Sequence, residues 1–118
     1  MSLAAMIAVA VVAFIHAAIM YVEMVLWTKP YGLRAFGNTP EKARYTAILA
    51  ANQGLYNGFL AGGLAWSLTG PPNARGIALF FLAFVMIAGI YGALTAKRSI
   101  VFVQFLPAAI ATLMVRLT

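Results

Sequence analysis

The sequence predicts an all-α polytopic membrane protein, a single domain of four transmembrane helices packed as a bundle, and three observations carry that prediction. Of 118 residues, 64% are hydrophobic and only 8% are charged, with a mean hydropathy of +0.96. A soluble domain needs about a quarter charged residues to cover its surface, so lipid is expected to face most of this chain. Second, four apolar runs are long enough, or nearly so, to cross about 30 Å of hydrocarbon at 1.5 Å per residue. Third, the segments between them are turn-rich or basic.

The first run covers residues 3–27 and closes on Trp27 and Lys29, an interfacial anchor. No basic residue precedes it and it is too long for a signal-peptide core, so a retained helix is expected. TKPYGLRAFGNTP follows and reads as a loop. The second run, 43–68, starts from Thr39-Pro40-Glu41: a capping hydroxyl, a proline at the first helical position, and an acid in the first turn. TGPPNARG leads to the third run, 77–94, and TAKRS to the fourth, 100–115. Pro107 lies inside the fourth, where it removes one backbone hydrogen bond and is expected to kink the helix.

Charge sets the orientation. Eight basic residues stand against Glu23 and Glu41, a net charge of +6. Lys29, Arg34, Lys42 and Arg44 fall in and beside the first loop, and Lys97 and Arg98 in the third. Only Arg75 and Arg116 fall on the opposite side, which places loops 28–42 and 95–99 in the cytoplasm and both termini outside. Because these residues lie between apolar runs, their partners are lipid headgroups and not nucleic acid. There are no cysteines, which removes disulfides and thiolate chemistry. No phosphate loop, nucleophile elbow or HExxH pattern occurs, and neither a metal nor a cofactor is expected.

The polar residues inside the apolar runs are the candidate site. On a helical projection of AANQGLYNGFLAGGLAW, Asn52, Gln53, Tyr56 and Asn57 share an arc of about 140°. Gly54, Gly58 and Gly62 repeat at four-residue spacing beside it, a pattern that admits close helix approach, with the third and fourth runs as expected partners. The first run contributes His16 and Glu23 on one face, about 10 Å apart along the axis. Glu23 is the central candidate, because ionisable groups within membranes mark ion, proton or ligand sites. Apolar surroundings oppose its charge, whereas amide donors from Asn52 or Gln53 would stabilise it. Counting depth from Trp27 and Tyr45 sets Glu23 near Asn52 and Gln53, and His16 near Tyr56 and Asn57; Tyr91 and Gln104 fall at similar depths.

HAAIMYVEMVLWTKPYGLRAFG (16–37) followed by ANQGLYNGFLAGGLAW (51–66) resembles the signature of a bacterial membrane family, domain of unknown function 1304. The matching residues include His16, Glu23, Trp27, Pro30, Asn52, Gln53, Tyr56 and Asn57. The resemblance covers nearly the whole chain and implies a small integral protein of the bacterial cytoplasmic (inner) membrane, with no activity to transfer. In architecture alone, the layout is also similar to small multidrug-resistance transporters, whose sequence pattern is absent.

Three readings follow. The first is binding or transport of a small lipophilic or cationic ligand by a homodimer, in a pocket on the cytoplasmic side centred on Glu23, Asn52 and Gln53. In the second, a membrane-embedded enzyme of isomerase or quinone-linked type uses Glu23 or His16 as acid or base, with Tyr56, Tyr91 or Asn57 orienting an oxygen. The third is an accessory protein in which the polar residues only fix helix register.

Overall fold

The computed structural model describes residues 1–118 and is all-α, without strands. Five α-helices follow in order: α1 (Leu3–Tyr21), α2 (Pro30–Phe36), α3 (Pro40–Ser67), α4 (Ala74–Thr95) and α5 (Leu106–Leu117). A π-helical turn, Val22–Leu26, extends α1, and a second, Val101–Phe105, precedes α5. Two stretches are long and apolar enough to cross a membrane, Leu3–Leu26 and Ala74–Thr95. α3 is longer, at 28 residues, but Asn52, Gln53 and Asn57 lower its apolarity. Val101–Leu117 is apolar and shorter.

Helix ends follow local chemistry. Thr39 Oγ1 accepts from the Lys42 amide at 3.1 Å, so the hydroxyl read from the sequence does start α3. Ser2 Oγ does the same for the Ala5 amide of α1. α4 starts earlier than expected because Asn73, held at φ +60°, accepts from the Gly76 amide through its side chain. The loop expected after Trp27 contains a helix. Pro30 stands in its first turn and Gly37 ends it at φ +64°, with the Asn38 amide donating to Leu33 O at 3.0 Å.

Pro107 lies within the helical stretch Val101–Leu117, as the sequence suggests, and the backbone widens just before it. It occupies the first turn of α5, immediately after the π turn, where the Leu106 amide donates to Val101 O. That wider turn suits a proline, whose ring crowds the carbonyl four residues back.

The chain divides into two compact units. One comprises Met1–Ile15 and Leu60–Thr118. Its core draws on Ala5, Val9 and Val12 of α1, Leu64 of α3, Ala78, Leu82 and Val85 of α4, and Ala108, Ala111 and Val115 of α5. These fall at three- and four-residue intervals, the stripe a helix must bury. A Cβ on Gly89 would lie 2.9 Å from the Phe105 amide nitrogen, so only glycine permits that approach, and Gly63 seats the Phe81 ring. At one end, Arg75 donates to Arg116 O at 3.2 Å and the Ser2 amide donates to Thr118 Oγ1 at 3.4 Å. Both chain termini and the start of α4 thus meet at one end of this unit.

His16–Phe59 form the second unit. Trp27 Nε1 donates to Thr46 Oγ1 at 3.1 Å, and its ring lies 4.8 Å from that of Phe36. Gly32 lies under the Leu26 carbonyl with no room for a Cβ. The glycine repeat of α3 faces a different neighbour from the one expected. Gly54 and Gly58 pack against Met20, Glu23 and Met24 within this unit, and Gly62 has nothing within reach of a Cβ. Flexible methionines fill the space that glycines leave open.

Gly89→Val should destabilise the protein by about 1–3 kcal/mol, because the added carbons meet backbone that cannot yield. Unfolding in mixed detergent micelles measures this; an unchanged midpoint would contradict the packing described.

Candidate functional site

Glu23 sits in the π turn after α1, and is 8% exposed. The turn carries one residue more than an α-turn, which re-aims the side chains it contains, and such turns recur at functional sites. Glu23 points at α3. Its Oε1 accepts from Asn57 Nδ2 at 2.7 Å, a short N–H···O hydrogen bond.

Asn57 is 6% exposed and doubly held, since Nδ2 also donates to the Gln53 carbonyl one turn back, at 3.2 Å. The same amide thus closes against its own helix and against the carboxylate. Close approach comes from Gly54, whose absent Cβ would lie 3.1 Å from Glu23 Cβ and 2.7 Å from Met24 Cγ. Glu23's second carboxylate oxygen makes no hydrogen bond within the chain. A carboxylate with one oxygen fixed and the other uncommitted can accept a proton, a cation or a hydrogen-bond donor.

The other expected members are placed differently. His16 is buried, at 1% exposure. Asn52, Gln53 and Tyr56 have exposed side chains that make no hydrogen bond within the chain. Glu23 therefore pairs with Asn57 and not with the side chain of Asn52 or Gln53. Tyr91 and Gln104 belong to the other unit, Tyr91 exposed on α4 and Gln104 half-buried in the second π turn. No three metal-ligating side chains come together. Sequence reasoning missed Gly54 as the seat of Glu23; its signal was Met20 and Met24 flanking the acid at helical spacing, opposite a glycine.

The model of the family described as Protein of unknown function (DUF1304) matches residues 10–116. The chain belongs to the DUF1304 family. That match takes in both halves of the Glu23–Asn57 pair. The DUF1304 chain is also similar to the uncharacterized protein YpaA of Lactococcus lactis subsp. lactis (strain IL1403). The two are 27% identical over 88 residues, covering 73% of this chain and 74% of YpaA. No solved structure matches.

Asn57→Leu should cost about 1–3 kcal/mol, because it leaves a buried carboxylate without its donor. Adding Glu23→Leu should recover part of that loss, a coupling on the order of 1 kcal/mol in a double-mutant cycle. Detergent-driven unfolding reads both; strictly additive losses would show that the two side chains act independently.

Proposed function

We propose that this DUF1304 protein crosses a bacterial cytoplasmic membrane four times and uses the Glu23–Asn57 pair to bind a proton or a small lipophilic cation. One observation carries the reading: a buried acid in an apolar chain, with one oxygen held at 2.7 Å by a fixed amide and the other uncommitted. Two apolar helices of spanning length support the membrane setting. α3 and Val101–Leu117 supply the remaining two crossings. The meeting of both termini with the start of α4 supports an even number of crossings. In this topology loops 28–42 and 95–99 face the cytoplasm and the termini face outward, following the distribution of basic residues.

Glu23 lies near the end of the first crossing, which closes on Trp27 and Lys29. A ligand would reach it from the cytoplasmic side, where the bilayer gives way to water. Exchange of a proton for a cation at one carboxylate is the simplest coupling such a site permits, and transport would follow if the site opened to either side in turn.

Tetraphenylphosphonium, a lipophilic monovalent cation, is a direct probe. Purified protein in mild detergent should bind it, and Glu23→Gln should weaken binding about tenfold or more while the unfolding midpoint stays close to that of the parent. Equal binding by the two proteins would refute the reading. A lost midpoint together with lost binding would point instead to a register role for Glu23.

A further inference from the structure

Exposed polar side chains lie on the outward face of α3, turned away from Glu23. Tyr45, Asn52 and Phe59 recur at seven-residue intervals and are all exposed, Tyr45 at 91%, with Ile48 between the first two at 86%. Tyr56 lies one turn beyond Asn52, about 40° away around the axis. Asn52 and Tyr56 both fall within about 4 Å of the middle of the 28-residue helix, at 1.5 Å per residue.

If α3 crosses the membrane, as the functional reading requires, that level is the hydrocarbon midplane. An amide and a phenol facing lipid there would have no hydrogen-bonding partner, an arrangement that membrane helices avoid. We propose that this face of α3 is the surface on which a second copy of the chain docks, with Asn52 pairing with its counterpart across a two-fold axis along the membrane normal.

The chemistry of the face favours a copy of itself. A carboxamide both donates and accepts, so an amide on a two-fold axis is its own complement. The stretch from Tyr45 to Phe59 carries no formal charge, so like-charge repulsion does not oppose self-association. Apolar and aromatic residues at a seven-residue repeat form the seam of a two-stranded helix pair, and one asparagine within such a seam fixes register and favours the dimer. A lipid could cover the apolar residues of this face but would leave Asn52 and Tyr56 unsatisfied. The Glu23–Asn57 pair lies off this seam, with Asn57 buried, so dimerisation would leave that pair intact.

Because the chain has no cysteine, a single substitution supplies its only thiol. Oxidation of Asn52→Cys in native membranes should convert most of the chain to a disulfide-linked dimer, whereas Ile87→Cys, on the exposed side of α4, should remain monomeric. Light scattering in mild detergent should give two chains per particle, and Asn52→Leu should raise the dissociation constant about 3- to 30-fold. A single chain per particle, equal crosslinking at Ile87→Cys, or adducts to another protein in place of the doubled mass would each overturn the proposal. Impermeant maleimide should label Tyr45→Cys and Trp66→Cys from opposite sides of sealed vesicles. Same-side labelling would refute the crossing on which the proposal rests. Opposite-side labelling without an Asn52→Cys crosslink would overturn the dimer face alone.

Discussion

The second unit depends on one contact, the hydrogen bond that brings Asn57 onto Glu23. In a chain with two acidic residues, Glu23 is the one placed among apolar side chains, and its burial is tolerated only because a donor meets it. That requirement sets neighbouring choices. Gly54 lets α3 lie close against the Glu23 side of the first helix, and Met20 and Met24 fill the gaps around it. Asn57 is anchored to the Gln53 carbonyl, so its amide does not have to be ordered when it meets the acid. The Trp27–Thr46 bond ties the same two chain segments a second time.

Both π turns occur where a helix carries its conspicuous polar residue, Glu23 in the first and Gln104 in the second. They arise for different reasons. Pro107 accounts for the second, because a proline crowds the carbonyl four residues earlier and a widened turn relieves it. Pro30 follows Val22–Leu26 only after the extended Lys29 has ended the helix, so that widening instead accompanies the presentation of Glu23 to α3. A widened turn is less favourable than a regular one, so its use at the only buried acid accords with a binding role.

Much of this was legible in the sequence. The apolar runs match four helical stretches to within a few residues at most ends, and Thr39 announced the start of α3. Glu23 and Asn57 were both singled out, but their pairing was not. Depth counted along Cα positions sets Glu23 near Asn52 and Gln53, whereas it is Gly54 that lies against Glu23 Cβ. Side chains, however, lean toward the N-terminus of their own helix. Where two helices run antiparallel, the acid leans deeper and the amide leans back toward it, so Glu23 meets Asn57 one turn on. α2 was hidden for another reason: Pro30 and Gly37 read as turn residues, although proline at a helix start and glycine at its end also delimit a helix. Which glycines face which helix could not be read from spacing, because a small-residue repeat carries no address.

Native mass spectrometry of the purified protein in mild detergent, beside Glu23→Gln, tests the central claim most directly. The account predicts that the parent retains one discrete small cationic molecule, released from Glu23→Gln, while both proteins keep the same assembly mass. Ordinary lipids alone on both proteins, with no molecule that depends on Glu23, would contradict it and leave the Glu23–Asn57 bond as helix register only.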